Sequence, residues 1–213
     1  MLFHKHKIWF VGVSKTATTS VWHALRNDTD RDHDHYRVYQ TLAHHDNELI
    51  KSYYWFTIVR NPYDRLVSAC HQYMRDSNGD DEKDPNKIIK YLEGKNDEEL
   101  YQFNEATTPQ YIYLVDKEVD GKVVVPNLWR YEHLDTTYTD FAEKHNKTAK
   151  FKIPEELPRA NVSYDRKSWF EVLNAESIRI INECYRKDFE LLGYKMLDPK
   201  KWKKAREVKP VSV

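Results

Sequence analysis

The sequence predicts an α/β fold of three layers, a mainly parallel central sheet with flanking helices. Three observations carry that expectation. Two apolar runs rich in β-branched and aromatic residues, starting at Ile8 and at Tyr54, each break into a short polar segment and then an amphipathic helix. Strand patterns alternate with helix patterns along much of the chain, the order expected of a parallel sheet covered by helices. A length of 213 residues allows one such domain with a substantial core, so residues 1–213 are read as a single domain.

The first junction, IWFVGVSKTATTS, runs from Ile8 to Ser20, and Val21, Trp22 and Leu25 then give a short helix one apolar face. Asn27 to Arg37 is a polar loop. VYQTLA, from Val38, reads as a short strand, and HHDNELIKSYY leads into the second junction, Tyr54 to Cys70. There Asn61 can cap the helix, with Pro62 at N1 and Asp64 at N3. Tyr63, Leu66, Val67, Cys70, Tyr73 and Met74 follow at helical spacing. Asp76 to Glu105 is acidic and poor in apolar residues. It is expected to be helical in part, around KIIKYL, and residues 76–110 are expected to form a mobile segment on the substrate side. YIYLV and KVVVPNLWRYE, either side of Asp120 and Gly121, read as a strand pair. A helix over about Leu134 to Lys144 follows, then a loop containing LPRANVSYDRK. A long helix from about Ala175 to Leu192 carries Ile178, Ile181, Tyr185, Phe189 and Leu192 on one face, with Gly193 as its C-cap.

Composition excludes several classes of function. Lys+Arg and Asp+Glu balance at 34 each, so no global basic field points to nucleic acid or an anionic membrane. The cysteines, Cys70 and Cys184, are too few for a disulfide scaffold and read as structural thiols. No apolar run approaches the ~20 residues of a membrane span. The first strand pattern begins so early that no signal peptide is expected before it. These features predict a soluble, cytoplasmic protein with no membrane span.

Both junctions are built to hold anions. In VSKTATTS, a helix N-terminus offers N–H donors and about half a positive charge. Thr18, Thr19 and Ser20 add hydroxyls, and Lys15 adds a cation that can follow charge onto a leaving oxygen. The loop of nucleoside-triphosphate enzymes, G-x-x-x-x-G-K-[ST], is not matched: Gly12 is present but no Gly-Lys pair follows. In the second junction Arg60 ends the strand and can fork onto a phosphate, while Ser68 falls about two turns into the helix. Two such sites on neighbouring strand ends suit a ligand with a phosphate at each end, beyond the carboxyl edge of the sheet.

With these residues in view, the chain resembles the sulfotransferases that use 3′-phosphoadenosine 5′-phosphosulfate (PAPS). KTATTS is similar to their 5′-phosphosulfate loop, and VRNPYDRLVSA to their 3′-phosphate motif, Arg-x-Pro-Tyr-x-Arg-Leu-x-Ser. The nearest resemblance is to the carbohydrate (Golgi-type, family 2) enzymes, through WRYEHL (Trp129 to Leu134), LPRANVS (Leu157 to Ser163) and YRKDFELLGY (Tyr185 to Tyr194). The chain departs from that pattern at Ser14 and Ala17, where the family has Pro and Gly. An alanine at 17 is less able to take a positive φ. The insertions on the acceptor side are short, and the Golgi members' N-terminal anchor is missing, so the chain resembles a compact soluble member.

The resemblance implies a P-loop-like nucleotide-binding fold and in-line transfer of a sulfuryl group from PAPS to an acceptor hydroxyl or amine, with adenosine 3′,5′-bisphosphate (PAP) as product and no metal. It implies that Lys15 steadies the bridging oxygen, and that Thr16, Ala17, Thr18, Thr19 and Ser20 hold the 5′-phosphate and sulfonate. Arg60 and Ser68 would grip the 3′-phosphate. Arg130, Arg166 and Lys167 are further cations for the adenosine end. A base must take the acceptor proton, and histidine has the right intrinsic pKa. His44 is favoured and His45 is second, both lying between the motifs, whereas His33 and His35, in the polar loop, are read as solvated. Trp129, Tyr131, Tyr185 and Phe189 are read as core residues. A carbohydrate acceptor follows from resemblance alone. The competing readings are a small kinase with a divergent phosphate loop, requiring ATP and Mg²⁺, and a nucleotide-binding protein without turnover.

Overall fold

A computed structural model describes residues 1–26, 35–44, 47–77, 84–116, 121–160 and 168–202. These residues group into two compact units, Met1–Arg60 with Gln110–Ser163, and Asn61–Pro109 with Tyr164–Val213.

The first unit holds a four-stranded sheet in the order β1 (Leu2–Phe3), β2 (Ile8–Val11), β3 (Tyr54–Val59), β4 (Leu128–Arg130). The β1–β2 pair is antiparallel, and the β2–β3 and β3–β4 pairs are parallel. All of β2 and the last four residues of β3 are buried. Burial on alternate residues means both sheet faces are covered, which is why these strands read as continuous apolar runs rather than as alternating ones. Register stacks rings across the strands. Phe56 lies between Phe10 (4.8 Å) and Trp129 (4.0 Å), and on the other face Trp9 meets Trp55 at 4.0 Å. Such cross-strand pairs fix the register that aligns the ends of β2 and β3. Helix α1 (Thr18–Leu25) follows β2. Helices α2 (Val38–His44) and α3 (Asn47–Lys51) precede β3, while α7 (Tyr111–Leu114) and α8 (Leu134–Thr148) flank β4 in sequence. Val21, Leu25, Phe10, Phe56, Ile58, Trp129, Leu134 and Tyr138 are among the residues of this unit's core.

The second unit is helical: α4 (Pro62–Asp76), α5 (Pro85–Lys90), α6 (Asp97–Phe103), α9 (Trp169–Val172), α10 (Ala175–Cys184) and α11 (Arg186–Leu192). Its core gathers Tyr63, Leu66, Val67 and Cys70 of α4 with Ile88 and Ile89 of α5, Ile178 and Ile181 of α10, and Phe189 of α11. The start of α4 follows the expected chemistry, with Asn61 Oδ1 accepting from Tyr63 N–H at 3.0 Å and Pro62 at the first turn. Gly193 ends α11 at φ 68°.

Three expected elements come out differently. VYQTLA is not a strand but most of α2. YIYLV supplies the single turn α7, and only its last residue bridges to Val123. A short apolar run does not declare its period, and here tertiary contacts decide it. The helix expected over Ala175 to Leu192 is interrupted at Tyr185 (φ −113°, ψ 23°). The partial helix expected around KIIKYL is present as α5, and α6 follows it.

Candidate active site

The loop after β2 is tightly folded around one carbonyl. Val13 C=O accepts from Thr16 Oγ1 at 2.8 Å and from Thr18 Oγ1 at 2.7 Å. Both threonines are buried, so these hydroxyls shape the loop from inside. Lys15 and Ala17, either side of Thr16, take left-handed backbone at φ 68° and 64°. Alternation of this kind turns successive N–H groups toward one side, the arrangement of anion-binding nests. Helix α1 begins next, and its N-cap, Ala17, contributes no side-chain hydrogen bond. A serine or aspartate there would occupy the first N–H groups of the helix. An alanine leaves that task to other acceptors, and a helix N-terminus in that condition favours an anion.

Arg60 stands immediately after β3 and is 6% exposed. Its Nη1–H donates to the Lys15 carbonyl at 3.0 Å, and its guanidinium lies 4.0 Å from the centre of the Tyr131 ring. The end of the second strand thus braces the loop of the first. The Arg60 backbone is itself clamped: its N–H donates to Gln110 Oε1 at 2.9 Å, and Gln110 Nε2–H donates to its carbonyl at 2.8 Å. Gln110 is fully buried.

A family model described as "Sulfotransferase family" matches residues 1–195, most of the chain. The chain belongs to the sulfotransferase family. No curated protein and no solved structure matches it.

In this sulfotransferase the residues singled out by sequence fall as follows. Lys15, Thr16, Ala17, Thr18, Thr19 and Ser20 form the loop and the first turn of α1. Ser20 Oγ accepts from the Ala160 N–H at 3.2 Å, tying the family-like LPRANVS segment to α1. Arg60 meets the loop backbone as described. Arg130 closes β4 and is half-buried. Ser68 lies half-buried on α4, in the second unit. His44 is the last residue of α2; its side chain, like His45, Arg166 and Lys167, lies outside the described residues.

One sequence reading changes, and one residue gains a role. Arg65 is fully buried, and its Nη1 and Nη2 donate to the carbonyls of Ala106 (2.9 Å) and Thr108 (2.7 Å). His35 is not a solvated loop residue, because its Nδ1 lies 3.1 Å from the Gly12 carbonyl and its ring meets that of Tyr113. Trp129 is in the core as expected, whereas Tyr131 is half-buried beneath Arg60. Sequence reasoning passed over Gln110 altogether.

A cavity of about 550 Å³, lined by Tyr54, Trp129, Phe141, Asp140 and Lys144 among others, opens at the amino end of β3. That is the opposite end of the strand from Arg60. Among the described residues, no group of three or more His, Cys, Asp or Glu side chains has the placement of a metal site, and no helix is long and apolar enough to cross a membrane.

Proposed function

We propose that this sulfotransferase uses PAPS as donor and transfers its sulfuryl group to a hydroxyl or amine of an acceptor, a carbohydrate by family resemblance, with a histidine as base. The observation that carries the reading is the bond from Arg60 Nη1 to the Lys15 carbonyl. It joins the two anion motifs within one unit, at the aligned ends of parallel neighbours β2 and β3.

The residues present fit such a donor. The left-handed backbone at Lys15 and Ala17 and the α1 N-terminus offer N–H groups to the 5′ end. The Lys15 ammonium can neutralise charge as it develops on the oxygen that leaves. Arg60 would carry positive charge toward the 3′-phosphate, to which the resemblance also assigns Ser68, with Arg130, Arg166 and Lys167 as further cations for the adenosine end. Bound PAPS supplies an activated sulfuryl group with a phosphate as leaving group. Alignment and charge stabilisation are then the protein's main contributions. Thr16 and Thr18 serve this arrangement indirectly, by donating to the Val13 carbonyl and so holding the shape of the loop.

The test is thermal stabilisation by PAP, compared with ATP–Mg²⁺ and with AMP. A ligand at ~100 times its dissociation constant adds about 2.7 kcal/mol, which corresponds to roughly 5–11 °C for a chain of this size. A shift with PAP and none with AMP supports the donor assignment. A shift with ATP–Mg²⁺ alone replaces it with a kinase.

A further inference from the structure

The first unit carries a charge asymmetry that the balanced totals conceal. The turn between β1 and β2 contains Lys5 and Lys7, while the end of α8 and the residues after it contain Lys144, Lys147, Lys150 and Lys152. All six are exposed. The fold brings the two stretches together: the Lys5 and Lys150 ammonium groups lie 4.7 Å and 5.5 Å from the centre of one ring, that of Phe151. The negative end of a helix favours a cation such as Lys147, but it does not account for lysines on the neighbouring turn.

Beside this patch opens the cavity of about 550 Å³ at the amino end of β3. Tyr54 and Phe141 stack in its wall with centroids 5.0 Å apart, and the Trp129 side chain hydrogen-bonds the Tyr54 hydroxyl, so the rings are held in place. Tyr54 is nevertheless 39% exposed. Thr137, Asp140, Phe141, Lys144 and His145 also line the cavity, and their spacing of three and four places them along one side of α8. Burial holds the His145 imidazole below its ordinary pKa, and the Lys152 charge acts in the same direction, so the positive field of the patch reaches the cavity wall.

We propose that this end of the sheet is a binding site for an anionic saccharide chain, one carrying sulfate or carboxylate groups. The lysines alone would suit any polyanion; the cavity narrows the choice. Its volume is ordinary for a site that takes a small molecule or one unit of a polymer. Its aromatic faces, negative at the ring centre, attract the polarised C–H groups of a sugar ring. Asp140 and Thr137 can accept from sugar hydroxyls, whereas a ligand made of phosphates alone gains nothing from a carboxylate. About 20 Å of strand separates Tyr54 from Arg60, so the site is separate from the loop after β2 and does not depend on the PAPS reading.

The experiment measures binding by calorimetry, with no nucleotide present, to a heparin-derived oligosaccharide, a single-stranded DNA oligomer of matched charge and phosphatidylserine vesicles. The oligosaccharide is expected to bind tightest. Replacing Lys144, Lys147 and Lys150 together by glutamine should weaken it roughly 10- to 100-fold. The same loss of charge in the second unit, at the exposed Lys195, Lys200 and Lys201, should leave it nearly unchanged. Tyr54→Leu keeps an apolar group against Phe141 but removes the flat ring, and should weaken the saccharide about 2- to 10-fold without affecting DNA. Asp140→Asn decides by sign: a carboxylate that accepts from hydroxyls makes this variant bind the saccharide more weakly, whereas a site that reads charge alone makes it bind more tightly. Asp140 is exposed on α8, so this arm stands even if Tyr54→Leu does not fold. The proposal is overturned if wild type does not bind the oligosaccharide, if both lysine triples lose affinity equally, if DNA or vesicles bind as tightly as the saccharide, or if Asp140→Asn tightens binding.

Discussion

Ala17 sits at φ 64°, where a side chain costs on the order of 1 kcal/mol that glycine does not incur. Ala17→Gly should therefore raise stability, by up to about 1 kcal/mol after the extra freedom glycine gives the unfolded chain. The expected rise in Tm is roughly 2–4 °C, and a drop on thermal unfolding would show that the left-handed turn is not maintained in solution. The departure from the family's glycine is legible in the sequence, and in the structure it places an alanine in left-handed backbone. Arg60 offers a second test. Removing a charge-assisted contact in Arg60→Ala should weaken PAP binding roughly 10- to 100-fold, measured by calorimetry, and unchanged affinity would remove Arg60 from the site. Lys15 to Ser20 and Arg60 could be found from sequence because their chemistry is compressed into consecutive residues after a strand. Gln110 could not: its clamp on Arg60 spans 50 positions and leaves no periodicity to detect. His35 was hidden by its polar surroundings, since proximity to Gly12 is a property of the fold alone.

At the scale of elements, sequence served best where the capping chemistry was explicit. Asn61, Pro62 and Asp64 mark the start of α4, and Gly193 marks the end of α11. It failed where a pattern continued through a break. Ile178, Ile181, Tyr185 and Phe189 keep helical spacing across Tyr185, yet α10 stops there and α11 restarts with Asp188 and Phe189 N–H groups both donating to the Tyr185 carbonyl. The side chain is anchored at that point. Tyr185, buried in the core of the second unit, donates its hydroxyl to the Thr107 carbonyl at 2.6 Å. The Thr107–Thr108 segment is held again by Arg65 on the Thr108 carbonyl. Tyr185→Phe keeps the ring and deletes that donor, so it should destabilise by about 1–2 kcal/mol, the cost of a buried carbonyl losing a partner. Urea unfolding measures it. A neutral result would mean that the break is set by ring packing alone.

Across the whole chain, balanced charge made electrostatics look uninformative, but burial gives folding a pH dependence of definite sign. Burial pushes the Cys70 thiol up to about 12 from an ordinary 9.0, and the Tyr63 phenol up to about 12 from 10.0. Burial also raises Tyr138 and Tyr185, and partly buried Cys184 shifts the same way. Each of these groups stays protonated in the folded state over a range where the unfolded chain has released its proton. The folded state then binds more protons, and stability falls as pH rises. The contribution is fully present below about pH 9, is lost progressively between about 9 and 12, and begins with the thiols because their ordinary pKa is lower than that of tyrosine. Each fully engaged group steepens the fall by about 1.4 kcal/mol per pH unit. Urea unfolding from pH 7 to 10.5 should show a plateau and then a decline. In Cys70→Ala the overall stability drops, through the lost volume, while the decline between pH 9 and 10 becomes shallower. An unchanged slope in that variant would mean that the Cys70 thiol is reached by solvent, contrary to its place in the α4–α5 core.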